Sequence, residues 1–203
     1  MYDLLPFSTS IEVRSRGYLP HWEIDDAIYF ITYRLADSLP AAVLQQLEIE
    51  HKNLRRLIGD ETMIQRTSVR TQYLRRLNAH LDVGHGECHL RNQEIAASVV
   101  DTWNHFNRKR YRLIAWCVMP NHVHTIIQLF HGRDLSRAVH SWKSYTSQEA
   151  NRILQREATF WFRDYYDHCV RSETELERTI DYVLGNPAQI GMTNWPFVGC
   201  AGW

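Results

Sequence analysis

The chain has 203 residues, 44% of them hydrophobic and 12% aromatic, with 23 Lys plus Arg against 23 Asp plus Glu. That composition excludes a disordered chain and gives enough length for one substantial core, so residues 1–203 are read as a single domain. The sequence contains no run of 18 apolar residues and no basic-then-apolar leader, so cytoplasmic residence without a membrane partner is the expectation; a net formal charge of zero leaves any polyanion-binding surface to local charge segregation.

In chain order, Tyr29–Arg34 (YFITYR) is aromatic and β-branched and reads as the first strand of a sheet. Pro40 suits the first turn of a helix that carries Val43, Leu44, Leu47, Leu54 and Leu57 at helical spacing and ends at Gly59-Asp60. A second helix over about 63–81 precedes Gly84-His85-Gly86, and a third runs from about Gln93 to Phe106, so the segment from about 36 to 106 is a helical insert after the first strand. Within it Lys52, Arg55, Arg56, Arg66, Arg70, Arg75 and Arg76 are opposed only by Asp60 and Glu61, a pattern that fits phosphate tracking and equally a solvated helical face.

Tyr111–Met119 and Val123–Phe130 are two strand-like runs separated by Pro120-Asn121-His122, which predicts an antiparallel hairpin in the middle of the sheet. A helix over about 134–155 with Asp134 as N-cap follows, then a strand over Thr159–Val170. A helix opened by the Ser172–Glu175 capping box stops before Asn186-Pro187, and about 187–203 forms an irregular tail. The order predicts an α+β fold, an antiparallel sheet with packed helices.

His122 and His124 flank one apolar residue on a strand, so both imidazoles point to one face and can grip one cation, although two structural histidines would give the same pattern. On the following helix, Leu135, Ala138, Val139, Trp142, Thr146 and Ile153 form the apolar stripe, and Tyr145 and Glu149 fall on or beside it. An inward carboxylate needs a cation, so Glu149 is the expected third ligand, with Tyr145 one turn earlier beside it. Such a grouping suits phosphodiester transfer through attack of a tyrosine oxygen on phosphorus. Two lesser readings are a zinc site built on His85, Cys88 and His89, and His168 as a proton carrier or, alternatively, a satisfied structural histidine.

Pro120-Asn-His-Val-His124 followed by Trp142-Lys-Ser-Tyr-Thr146 resembles the single-tyrosine HUH transposases, and within them the REP-associated tyrosine transposases. The resemblance extends over Tyr18-Leu-Pro-His-Trp22, Tyr29–Leu35, Asp37–Pro40, Trp116–His124, Tyr165–His168, and Tyr182 with Asn186-Pro187. It implies a ferredoxin-like core, a divalent Mg or Mn ion held by His122, His124 and Glu149, Tyr145 as nucleophile, and single-stranded or hairpin DNA as partner, handled by a monomer or a homodimer. The implied activity is single-strand cleavage and strand transfer at palindromic hairpins through a 5′-phosphotyrosine; the alternative is a catalytically silent hairpin-binding protein with a regulatory role. Where the family has a Gly-Arg-x-Tyr box this chain has Arg14-Ser-Arg-Gly-Tyr18, which leaves Arg16 and Tyr18 as candidates for reading bases. Trp22 is a candidate for base stacking, and Arg55, Arg56, Arg70, Arg75, Arg76 and Lys143 for phosphate contacts.

Overall fold

A computed structural model describes the backbone of residues 12–15, 20–23, 26–57 and 63–201, and the side chains of 26–50, 52 and 72–201. Two short strands, β1 (Glu12–Ser15) and β2 (Pro20–Glu23), pair antiparallel with Val13 opposite Trp22. The main sheet contains β3 (Ile28–Arg34), β4 (Tyr111–Val118), β5 (His122–Leu129), β6 (Tyr166–Val170) and β7 (Val198–Cys200). It is antiparallel throughout, in the order β6-β3-β5-β4-β7. Its helices are α1 (Ala41–Leu57), α2 (Met63–Asp82), α3 (Gln93–Phe106), α4 (Leu135–Ile153) and α5 (Glu173–Gln189). This is the expected α+β architecture, and the order of β6, β3, β5 and β4 is that of a ferredoxin-like sheet.

The chain starts its later helices where local chemistry directs. The Asn92 side chain accepts from the Glu94 and Ile95 amides at α3, Asp134 from Arg137 at α4, and Ser172 from Glu175 at α5. Each satisfies N–H groups that a helix start leaves without partners.

Side-chain alternation divides the core into two layers. Tyr29, Ile31 and Tyr33 of β3 and Val123 and Ile127 of β5 face α3 and α4, where they pack with Ile95, Val99, Trp103, Val139 and Trp142. Ile28 and Phe30 of β3, Cys117 of β4 and Ile126 of β5 face the other way and pack with Leu176, Ile180 and Val183 of α5. The helical hairpin of α1 and α2 adds a smaller cluster around Leu39, Leu47, Leu77 and Leu81.

Three expectations change. First, α5 continues through Asn186-Pro187 to Gln189; Pro187 removes one i→i−4 hydrogen bond, but it does so in the last turn, with only two helical residues after it. Second, the expected 159–170 strand is interrupted: Trp161 bridges Leu35 at the end of β3, then the Phe162, Arg163 and Asp164 carbonyls turn to accept from the Lys143 ammonium, and the strand β6 begins only at Tyr166. Third, the C-terminal tail contributes the edge strand β7, with Gly199 opposite Trp116. There the indole lies close enough that a Cβ would meet it at 2.7 Å, so glycine lets the two backbones pair. Among the described residues no helix is long and apolar enough to cross a membrane.

Candidate active site

His122 and His124 both lie on the α5 side of β5 and are fully buried. Their Nε2 atoms are 3.1 Å apart. Asn121 donates its amide to the Leu81 and His85 carbonyls, both at 3.1 Å, which turns its Oδ1 toward His122 Nδ1 at 2.8 Å. An oxygen there can only accept, so His122 carries its proton on Nδ1 and presents an Nε2 lone pair to the site. Thr32 on β3 holds His124 Nδ1 at 2.7 Å, and the ring of Phe30 stacks on His124. Burial holds the His122 pKa down at about 3 and depresses that of His124 as well, with the neighbouring His122 as a second cause. Both rings are neutral at physiological pH, the form that ligates metals.

Two further elements close over the pair. The ring of Tyr182 on α5 lies 5.4 Å from that of His124, edge to face, and its hydroxyl accepts from the Asn78 amide of α2 at 2.7 Å. One turn later, Asn186 is buried with neither side-chain polar atom hydrogen-bonded; it lies near enough to the Tyr182 phenol to lower its pKa without completing a bond. From the C-terminal end of α2, Asp82 brings Oδ1 to 4.0 Å from His122 Nε2, and that oxygen also lacks a hydrogen-bond partner. Burial raises the Asp82 pKa, and burial, reinforced by the charge of Asp82, pushes the Tyr182 phenol up to about 12.

These donors suit a divalent cation. With metal–nitrogen bonds of about 2.1 Å, two nitrogens 3.1 Å apart subtend an angle of about 95° at a shared ion. Among the described residues no three His, Cys, Asp or Glu side chains form a ready-made metal cluster. The unpartnered carboxamide oxygen of Asn186, one turn after Tyr182, and the unpartnered Asp82 Oδ1, 4.0 Å from His122 Nε2, are the nearby groups that could add to the pair.

Tyr145 and Glu149 do not meet the histidines. Helix α4 packs through Ala138, Val139 and Trp142 on the opposite face of the sheet. Tyr145 is 53% exposed at the edge of the stripe, and Glu149 finds its cation in Arg152 at 2.9 Å. Helical periodicity shows that α4 has an inward stripe but not which side of the sheet it covers. Tyr182 and Asn186 carried a legible signal, an uncharged polar pair at i and i+4 on an otherwise apolar helix face; ending the helix before Asn186 hid it.

Of the expected DNA contacts, Lys143 is largely buried and donates to three backbone carbonyls at 2.6–3.4 Å, which makes it a loop anchor rather than a phosphate contact. Arg75 is exposed, and Arg76 is exposed but paired with Glu50 at 2.8 Å. Arg16 and Tyr18, and the side chains of Trp22, Arg55, Arg56 and Arg70, lie outside the described residues. Cys88 donates to the Gly84 carbonyl, His89 stacks on Phe160, and His168 pairs with Glu175 at 2.8 Å, so each has a local structural partner.

A helix-covered antiparallel sheet with a buried His-x-His pair and a facing tyrosine defines a class, and comparison with known proteins agrees with it. The family model described as "Transposase IS200 like" matches residues 86–186, about half of the chain, and over that stretch the chain is similar to this family of transposases. Within it, the chain is similar to a REP-associated tyrosine transposase of Escherichia coli, at 25% identity over 43% of this chain and 53% of that protein. It is also similar to a Haemophilus influenzae protein provisionally given the same name, at 27% identity over 43% of this chain and 57% of that protein. The chain thus spans a little over half the length of the curated relatives it matches. A solved structure of a REP-associated tyrosine transposase bound to a REP hairpin shares the fold, with a TM-score of 0.50 and 17% identity, covering 88% of this chain and 79% of that one.

Proposed function

We propose that this protein is a divalent-metal-dependent single-strand DNA endonuclease and strand transferase acting at palindromic hairpins, with Tyr182 as nucleophile. The observation that carries the reading is the position of Tyr182: its ring sits against His124, its hydroxyl is held by Asn78, and Asn186 follows one turn later. His122, His124 and Asn186 are the proposed ligands of Mg or Mn, with Asp82 balancing charge beside them. Bound there, such an ion would act as a Lewis acid toward the scissile phosphate.

The chain's own groups supply the rest. Tyr182 Oη forms a bond to phosphorus while the bond from phosphorus to the 3′-oxygen breaks, giving a 5′-phosphotyrosine and a free 3′-hydroxyl once that oxygen gains a proton. The phenol proton goes to the Asp82 carboxylate, whose charge is felt at the Tyr182 phenol and whose Oδ1 has no hydrogen-bond partner. Asn78 already donates to the phenol oxygen and so stabilises charge growing there. Reversal by a different 3′-hydroxyl is strand transfer. The hairpin as substrate rests on the DNA carried by the relative of similar fold.

The test is incubation with 5′- and 3′-labelled hairpin DNA from beside its own gene, with Mn or Mg, followed by denaturing gels. A metal-dependent protein–DNA adduct that survives in Tyr145→Phe and is lost in Tyr182→Phe supports the reading. Loss in Tyr145→Phe alone would return the nucleophile to α4. Hairpin binding with neither adduct nor nick would make the chain a silent binding protein.

A further inference from the structure

On the face of the sheet opposite the histidines, α4 borders a groove of about 980 Å³ that the cleavage chemistry does not use. It runs from Arg110 and Arg133 along α4 to Ser147 and Trp161. Between Ser136 and Ser147, which both line it, the helix advances about 17 Å, the rise of about five base pairs of duplex DNA. The arginine end adjoins the end of β5: the Arg110 carbonyl accepts from the Phe130 amide at 3.2 Å, and the Phe130 carbonyl from the Arg133 amide at 3.0 Å. Strand β5 starts at His122 and ends at Leu129, so that end of the groove is displaced from His122 by about 24 Å along the strand as well as by the thickness of the sheet.

The chain has no net formal charge, yet this groove is cationic: Arg110, Arg133, Arg137 and Arg163 line it against Asp134 and Asp164. The Arg110 guanidinium lies 4.0 Å from the centroid of the Phe106 ring and donates from Nη1 to the Ser141 hydroxyl at 3.3 Å, which holds it along α4. A guanidinium fixed in this way loses less freedom when it meets an anion. Arg108 and Lys109 are exposed in the turn before it, and Arg133 is exposed in the turn before α4. Arg137 projects from the first turn of α4 with its side chain 86% exposed, 3.7 Å from Asp134. Asp134 is itself engaged as the helix cap, accepting from the Arg137 amide and the Ser136 hydroxyl. The arginines of α2 offer less, since Arg76 is tied to Glu50 at 2.8 Å.

The chemistry of the walls selects the occupant. Guanidinium forks and the hydroxyls of Ser144 and Ser147 are groups that hold phosphate oxygens. Open aromatic faces, on which unpaired bases stack, are not offered: Trp161 is 4% exposed with its indole N–H donated to Thr146, and Tyr165 is half-buried with its hydroxyl inside. A strand whose scissile phosphate lies at His122 and His124 is on the other face of the sheet. We propose that the groove takes the phosphate backbone of a duplex DNA segment separate from the strand at the histidines, so that one chain carries two DNA segments at once. This rests on the DNA-processing reading above for the class of partner and adds a second site to it. Because the contacts go to phosphates, the groove accepts any duplex sequence and its affinity falls steeply with salt.

The test titrates a fluorescein-labelled blunt duplex of about 16 base pairs, unrelated in sequence to the hairpin, with the full chain in EDTA, and reads anisotropy between about 50 and 200 mM salt. It is run with and without a saturating unlabelled hairpin. The duplex affinity should be the same within about twofold in both, with log K falling against log salt at a slope of about −3 to −4, as for about four phosphate contacts. The double variant Arg133→Glu/Arg137→Glu should weaken the duplex at least tenfold and reduce the slope by about 2, with hairpin affinity and adduct formation unchanged within about twofold. Both side chains are exposed, and an acid at position 137 stands in the first turn of α4, where it favours the helix, so lost binding does not report lost folding. Displacement of the duplex by the hairpin, duplex binding unaltered in the double variant, or a single-stranded oligothymidine of equal length binding as tightly as the duplex would each overturn the second site. No duplex binding with the hairpin adduct still formed would also overturn it and leave the nuclease reading intact, whereas no duplex binding and no adduct would remove both.

Discussion

Acidification should destabilise the metal-free protein through His122 and His124. Both are buried and neutral, with pKa values held below the unfolded value of about 6.5, that of His122 at about 3. A base with a depressed folded pKa contributes fully above about pH 6.5, and the contribution is lost as pH falls toward the folded pKa, because the unfolded chain takes up protons that the folded chain refuses. Between pH 7 and pH 5 one such histidine costs about 2 kcal/mol, and the pair up to about 4 kcal/mol. The loss over this window is set by the unfolded pKa provided the folded one stays below 5. Against a total stability of about 5–15 kcal/mol this is a large fraction. Urea unfolding followed by circular dichroism in EDTA at pH 7, 6 and 5 measures it, with His122→Gln as comparison. The variant should lose about half of the pH dependence. An unchanged slope in His122→Gln, or a wild-type loss under about 1 kcal/mol, would refute the assignment of two buried neutral imidazoles.

Three further outcomes are expected. Trp142→Ala removes a fully buried indole packed edge to face on Trp103 and Tyr111, and should cost about 3–5 kcal/mol and lower Tm by about 6–20 °C in a thermal melt. Glu149→Ala breaks a solvent-facing pair with Arg152 and should change stability by less than about 0.5 kcal/mol in urea titration, with Mn affinity by calorimetry unaltered; a loss of Mn affinity would bring Glu149 back as a ligand. Lys143→Met keeps the apolar stem but withdraws the donors from the 162–164 carbonyls, for a cost of about 1–3 kcal/mol in the same titration, and the salt dependence of hairpin binding should not change.

The sequence by itself determined what depends on short-range periodicity and end chemistry. Strand alternation put His122 and His124 on one face, and the Pro120-Asn121-His122 turn made β4 and β5 neighbours. Asp134 and Ser172 marked their helix starts. The 3.6-residue period found the inward stripe of α4 from Leu135 to Thr146. Which helix covers the histidines was a different kind of question. A stripe names the side of the helix that is buried but not the side of the sheet it is buried against, and that choice follows from strand order. With β3 between β5 and β6, and β5 between β3 and β4, the two crossovers, β3 to β4 through α3 and β5 to β6 through α4, each join parallel strands that flank a common neighbour. Both crossovers turn with the same hand and so place their helices on the same face. The other face, with the imidazoles, is left to α5 and the end of α2. Tertiary structure therefore took the histidines away from Tyr145 and Glu149 and gave them Tyr182, Asn186, Asn78 and Asp82, all 40 or more positions away in the chain from His122, two of them on α2 before the hairpin and two on a helix entered only after β6.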